Sequence, residues 1–198
     1  MRSRKNTLTF HQKKKIITPR LIREILSWVI VTVIAVVTAG FLMFAFGMKV
    51  SVIGESMEEQ LFNGDSVLVD RILSKIFSPV RGDIIVFLPN GNVNSHYYVK
   101  RIVAQSGDTV QIVDGTLYIN DVPEESRVDF DKIEDAGIAS NKIRLGSGEY
   151  FVLGDNRNSS EDSRSANIGV VGSNMIIGRA WFVFGGEGHE TGPVLNTY

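Results

Sequence analysis

The chain has 198 residues, which suits one modest domain plus a short additional element, and its net charge is -1. The charge is unevenly distributed, because residues 1–23 hold eight of the 21 Lys and Arg residues and no acidic residue. The remainder of the chain therefore has 13 basic and 22 acidic residues. An acidic body argues against a nucleic-acid surface, whereas the basic segment favours anionic lipid. The absence of cysteine excludes disulfides and thiolate metal sites.

The first predicted element is a membrane-spanning helix. Residues 25–48 contain no charged side chain over 24 positions. As a helix this run would be about 36 Å long, enough to cross a hydrocarbon core of roughly 30 Å. A cleavable secretory signal has a shorter apolar region that ends in small residues, whereas this run ends in Phe44, Phe46 and Met48. An uncleaved anchor is therefore the favoured interpretation.

The basic segment sets the expected orientation of this anchor. Lys and Arg residues favour the cytoplasmic side of a membrane. We therefore expect residues 1–24 to be a basic cytoplasmic tail, 25–48 the transmembrane helix and 49–198 an extracytoplasmic domain. The protein would be a single-pass protein of the cell membrane, with the lipid bilayer as a partner and no nucleic acid.

The remainder of the chain has the pattern of a mainly β, antiparallel domain. Runs rich in Val, Ile, Phe and Tyr are separated by Gly, Pro, Asn and Asp. Asp114-Gly115 joins two of these runs and fits a type I′ hairpin. Residues 121–148 are polar and charged, so we expect a small inserted subdomain over about 104–148. The predicted strands are 49–53, 65–70, 83–88, 97–103, 109–113, 116–120, 149–154 and 176–184.

The first candidate catalytic residue is Ser56, at a predicted junction of strand and loop. A serine there can expose its Oγ while its own N–H faces a reacting carbonyl. Gly54, two residues earlier, would let an extended substrate approach the backbone closely. The pattern alone is weak, because Gly-x-Ser is common and most such residues are ordinary turn serines.

The second candidate is Lys100, which lies inside the hydrophobic segment 97–103. Strand alternation places Tyr98, Lys100 and Ile102 on one face. If that face is covered, burial lowers the lysine pKa toward neutrality and makes the amine available as a base. An exposed edge-strand lysine that deters aggregation explains this residue equally well when it is taken alone.

The third candidate segment is the polar loop 154–164, with the sequence GDNRNSSEDSR. It could be a solvated loop, but it interleaves acids, arginines and serines densely. Asp162 and Arg164 could pair locally, and a serine hydroxyl could hold a catalytic amine in place. The three histidines lie far apart in the sequence, so we expect neither a metal nor a cofactor.

Taken together, these segments resemble the type I signal peptidases of Gram-positive type, in order and over nearly the whole chain. The serine motif of that family, G-x-S-M followed by x-P-T-L, is matched by residues 54–57 and by Leu61. Its lysine motif, Y-V-K-R-(I/V), is matched by residues 98–102. Its third motif, GDN-R-x-x-S-x-DSR, is matched without a gap by residues 154–164, and this match is the most specific.

The resemblance implies a signal-peptidase-like fold and a membrane-bound serine endopeptidase that removes signal peptides from exported preproteins after small residues. Ser56 would be the nucleophile and its N–H the oxyanion donor, and Lys100 would be the general base of a Ser–Lys dyad. Ser160 would orient the lysine amine, and Asp162 and Arg164 would form a supporting ion pair. The residues expected to line shallow apolar substrate pockets are Val52, Ile53, Gly54, Met57, Leu61, Tyr98 and Val99.

The chain departs from the family pattern beside the nucleophile. Glu59 and Gln60 stand where the pattern has Pro-Thr, and residues 104–106 also differ. These departures suggest a specialised paralogue. They leave open an alternative, a non-catalytic signal-peptidase-like factor that assists pilin or surface-protein assembly, with pilin subunits and sortase-type machinery as partners. Because the chain keeps both Ser56 and Lys100, the active protease is favoured.

Overall fold

The structure, a computed structural model, describes residues 18–92, 96–125, 130–186 and 188–196. Most of the predicted basic tail, residues 1–17, lies outside these ranges. The chain divides into two units, with the division after Phe41. The described residues form an N-terminal apolar helix and a mainly antiparallel β domain, which confirms the predicted fold class.

The N-terminal helix, α1, spans Pro19–Phe46. It begins earlier than the uncharged run, because proline suits the first helical position and Thr18 caps the helix by accepting a hydrogen bond from Leu21 N at 3.4 Å. The stretch Pro19–Phe44 has a mean hydropathy of 2.5, and by length and composition it could cross a membrane.

The β domain contains twelve short strands and one further α-helix in the described residues. The helix α2 is a single turn at Leu73–Ile76. The strands are β1 Met48–Ser51, β2 Ser66–Asp70, β3 Ile84–Phe87, β4 Tyr98–Ala104, β5 Thr109–Val113, β6 Thr116–Ile119, β7 Val122–Pro123, β8 Ile143–Arg144, β9 Glu149–Leu153, β10 Val171–Gly172, β11 Ile176–Phe184 and β12 Gly192–Pro193.

The larger sheet has eight strands in the order β1-β2-β11-β3-β4-β9-β10, with β12 paired to β11. Its inner strand β3 is buried on both faces. Ile84 and Val86 pack in one hydrophobic cluster, and Ile85 and Phe87 pack in another. The continuous apolar sequence of this strand follows from this double burial. The neighbouring strand β4 is also buried on both faces, with Val99, Ile102 and Val103 each in a different hydrophobic cluster.

The smaller sheet has the order β7-β6-β5-β8 and lies within the stretch predicted as an insert, 104–148. The predicted type I′ hairpin is confirmed: Asp114 and Gly115 join β5 to β6 with φ values of 49° and 79°. Apolar side chains of this sheet form a cluster of their own with Phe151 and Leu153 of β9.

The predicted strands differ from the observed ones mainly at their ends. The strand predicted over 49–53 ends at Ser51. Val52 still bonds to the neighbouring segment, with its N–H donating to Asp65 O at 2.9 Å, but Gly54 has a φ of 89° and turns the chain away from β2. Strand β4 extends one residue further than predicted, to Ala104. The two-residue strands β7, β8, β10 and β12 were not predicted, because two residues are too few to show an alternating pattern.

Candidate active site

Ser56 and Lys100 meet in the folded domain although 44 residues separate them, with Lys100 Nζ at 2.6 Å from Ser56 Oγ. Lys100 belongs to β4 and pairs with Ile85 of β3, which fixes its backbone inside the sheet. Its side chain is only 4% exposed, whereas Ser56 is half-buried at the surface of the domain. The structure therefore joins a buried amine to an accessible hydroxyl.

The turn that carries Ser56 follows β1 and is held by local bonds at both ends. Gly54 has a φ of 89°, a left-handed conformation that favours glycine, and its N–H donates to Asn63 Oδ1 at 3.1 Å. Leu61 N donates to Met57 O at 2.9 Å, which closes one helical turn. Met57 and Leu61 are 1% and 0% exposed, so this turn is anchored in the hydrophobic core.

The environment of Lys100 favours its neutral form. Burial lowers the pKa of this amine from 10.5 to about 8, and the negative charges of Asp162, Asp155 and Glu161 oppose the decrease. A lysine with a pKa near 8 has a substantial neutral fraction close to neutral pH, so that its lone pair can accept a proton.

The loop 154–164 packs against the serine turn and is held by the expected ion pair. Arg164 donates two hydrogen bonds to the Asp162 carboxylate, from Nε and from Nη2, each at 2.9 Å. The same carboxylate accepts a hydrogen bond from Gly154 N at 3.1 Å. Asn156 N donates to Ser56 O at 3.2 Å, which links the loop directly to Ser56.

Ser160 does not make the hydrogen bond to Lys100 that the sequence led us to expect. Its Oγ is buried and has no hydrogen-bond partner among the residues that the structure describes. It faces Gly154, where a Cβ atom would lie 2.3 Å from this oxygen. The predicted hydrogen bond between Ser160 and Lys100 is therefore not formed in this structure. The Lys100 amine contacts Ser56, and the Ser160 hydroxyl packs against Gly154.

A cleft of about 390 Å³ opens beside the dyad, between the segments 52–57 and 96–100. It is lined by six of the seven residues expected to bind substrate, namely Val52, Ile53, Gly54, Met57, Tyr98 and Val99. Leu61 is not among the residues that line this cleft, and its side chain is fully buried with Val67 and Val69. Ile53, by contrast, is 79% exposed at the rim.

Besides Lys100, two acidic residues line this cleft. Glu55 and Glu161 line it, and Tyr98 Oη donates to Glu161 Oε2 at 3.2 Å. Burial and this carboxylate raise the pKa of Tyr98. Within the described ranges no group of three or more His, Asp or Glu side chains could hold a metal ion.

The sequence did not point to the buried charge next to the dyad. Arg101 is 1% exposed and forms a bidentate ion pair with Asp155, with both N–O distances at 2.6 Å. Its Nη2 also donates to Gln60 Oε1 at 2.5 Å. An arginine beside a buried lysine in an apolar strand was the available signal, since an isolated cation is costly to bury and needs partners.

The comparison with known protein families agrees with this geometry. The family described as "Signal peptidase, peptidase S26" matches residues 25–185. The chain belongs to this family. Members are hydrolases, and the chain is a serine protease of this class.

Individual proteins that are similar to this chain are named as type I signal peptidases. Signal peptidase I T of Bacillus subtilis (strain 168) is 32% identical over 200 residues, covering 93% of this chain and 95% of its own length. Signal peptidase I S of the same organism is 36% identical over 180 residues, covering 82% and 90%. A crystal structure of a signal peptidase I from Enterococcus faecalis V583 is 32% identical and covers 52% of this chain and 96% of its own, with a TM-score of 0.39. Pilin and sortase-type partners have no support in these comparisons.

Proposed function

We propose that the protein is a membrane-anchored endopeptidase that removes signal peptides from exported preproteins through a Ser56–Lys100 dyad. The observation that carries the proposal is the 2.6 Å contact between Lys100 Nζ and Ser56 Oγ, made by an amine that burial has brought to a pKa of about 8. The same contact argues against the non-catalytic alternative, since a protein without this chemistry has no need of a buried lysine beside an accessible serine.

The dyad would act by moving one proton back and forth. Neutral Lys100 accepts the proton of the Ser56 hydroxyl while Oγ attacks the scissile carbonyl carbon. Protonated Lys100 then donates that proton to the leaving amine as the C–N bond breaks, which leaves an acyl-serine ester. A water molecule, deprotonated by Lys100, attacks the ester, and the proton returns to Ser56 Oγ.

The backbone of Ser56 would stabilise the oxyanion of the tetrahedral intermediate. Its N–H would donate to the oxyanion, and its carbonyl is fixed by the hydrogen bond from Asn156 N. Gly154 allows this close approach, because a Cβ there would lie 2.3 Å from Ser56 O. The loop 154–164 would therefore contribute by holding the nucleophile in place.

The cleft supports cleavage after small residues. The segments 52–54 and 97–99 flank it on two sides, so that an extended substrate backbone would fit between them. Val52, Met57 and Val99 are each less than 9% exposed and form a fixed apolar wall. Such a wall excludes large side chains by steric overlap and needs no polar group to select alanine or glycine.

We propose further that α1 anchors the protein in the cell membrane, with the tail of residues 1–24 in the cytoplasm and the β domain outside. The support is the length and apolar character of this helix and the basic residues that precede it in the sequence. Protease accessibility of the β domain in intact cells tests this orientation.

The catalytic proposal is tested by cleavage of a preprotein, or of a peptide with an Ala-x-Ala site, by the full chain in detergent. Ser56→Ala and Lys100→Met should each lower the rate by at least about a thousandfold. Ser140→Ala and Lys142→Met are matched controls, because both side chains lie at the surface of the inserted region, and they should cleave normally. Retained cleavage in Ser56→Ala or Lys100→Met would contradict the proposal.

A further inference from the structure

We propose that Gln60 is a positioning residue for the dyad: through Arg101 it fixes the turn that carries Ser56 against β4, the strand that carries Lys100. The inference rests on the proposed function, because it concerns the same two groups. It also assigns a role to the segment in which this chain departs from the family pattern, residues 59 and 60.

Arg101 joins four separate segments of the domain. Its five N–H groups all have acceptors, which a buried guanidinium requires. Gln60 Oε1 is the acceptor that the serine turn supplies, at 2.5 Å from Nη2. The other four bonds run from Nε and Nη2 to Asp155, each at 2.6 Å, and from Nη1 to Gly82 O at 2.7 Å and Leu195 O at 3.3 Å.

An unusual backbone conformation accompanies this bond. Glu59, immediately before Gln60, has a φ of 98°, which is rare for a residue other than glycine. Proline is locked near a φ of -65° and could not occupy this position in the same conformation. The replacement of Pro-Thr by Glu-Gln therefore changes both the backbone at residue 59 and the reach of the side chain at residue 60.

The bond to Arg101 complements the contact within the dyad. Consecutive residues of a strand point to opposite faces, yet Lys100 contacts the serine turn at Ser56 and Arg101 contacts it at Gln60. The turn is thus held on β4 from two directions. The apolar anchors Met57 and Leu61 fix its depth in the core, whereas directional hydrogen bonds fix its orientation. Proton transfer depends steeply on that orientation.

Two substitutions of similar size separate positioning from packing. Gln60→Met keeps the length of the side chain but removes the acceptor, and we expect kcat to fall at least about tenfold with KM changed less than about twofold. Gln60→Glu restores an acceptor for Arg101 and should recover kcat to within about threefold of the parent chain. Gln111→Met is the matched control, because the Gln111 side chain donates to Ser140 O within the inserted region, and its kcat should be unchanged.

A second pair of variants tests the backbone at residue 59. Glu59→Pro should lower kcat as Gln60→Met does, although Gln60 is still present. The double variant should be no worse than either single one, because both remove the same bond. Equal kcat values for Gln60→Met and the parent chain, equal losses in Gln60→Met and Gln60→Glu, or additive losses in the double variant would each overturn the inference. If the parent chain itself cleaves nothing, the proposed function fails instead.

Discussion

In Lys100→Met, an apolar side chain of similar length replaces a buried amine that must give up its proton to act as a base. The folded protein lowers the pKa of Lys100 from 10.5 to about 8, and the side chain is only 4% exposed. A pKa difference of this size corresponds to about 3 kcal/mol against the charged form. Methionine carries no such penalty, so we expect the free energy of unfolding at pH 7 to increase by up to about 3 kcal/mol while activity is lost.

The pH dependence of the increase in the free energy of unfolding tests whether the buried charge of Lys100 causes it. The pKa of Lys100 is lower in the folded state than in the unfolded state, so the unfolded chain binds more protons between the two values. The penalty in the parent chain is therefore complete below pH 8, decreases as the pH rises and disappears above about pH 10.5. The stability advantage of Lys100→Met should fade over the same interval.

Denaturant unfolding of the detergent-solubilised chain measures this advantage, with peptide cleavage measured on the same samples. Lys142→Met is the control, because Lys142 is 47% exposed and pairs with Asp121 at the surface. Its free energy of unfolding should change by less than about 1 kcal/mol. A Lys100→Met variant that is less stable than the parent chain at pH 7, or whose advantage persists above pH 10.5, would refute the reasoning.

Two further predictions concern the same site. If neutral Lys100 is the base, as proposed, activity should fall about tenfold for each pH unit below pH 8. Glu161→Gln should move this fall to lower pH, since the Glu161 charge raises the Lys100 pKa. A pH–rate profile that is flat from pH 6 to 9 would count against lysine as the base. Gly154→Ala should lower activity by about a hundredfold, since its Cβ would lie 2.3 Å from Ser56 O. Gly192→Ala, where a Cβ meets nothing within 4 Å, should keep the activity of the parent chain, and equal rates in the two variants would contradict this explanation.

Much of the site was predictable where local sequence determines the geometry. Asp162 and Arg164 are two residues apart in one loop, so their pairing needs little tertiary information. The hairpin at Asp114-Gly115 follows from the φ values that only such residues adopt readily. The burial of Lys100 could be stated only conditionally, because alternation shows which residues share a face and not which face is covered.

The remainder depended on how distant segments pack. Leu61 was expected at the substrate cleft with Met57; both side chains are buried in the same hydrophobic cluster, but only Met57 reaches the cleft wall, which depends on how the turn packs on the sheet. Ser160 was expected to bond to the Lys100 amine, but the direction of its hydroxyl depends on its contact with Gly154, which no local pattern shows. The bond between Gln60 and Arg101 joins segments 41 residues apart, and no local pattern encodes it.

The carboxylates around Lys100 explain why its pKa is about 8 and not lower. Burial alone would lower the pKa of this amine further, but the negative charges of Asp162, Asp155 and Glu161 raise it. A lysine with a much lower pKa would be neutral at every working pH, but it would be a weak acceptor for the serine proton. One with an unperturbed pKa would be a stronger base that is almost never neutral near pH 7. In the proposed mechanism, the acidic residues of the loop 154–164 therefore do more than hold Ser56 in place, since they also adjust the pKa of the proposed base.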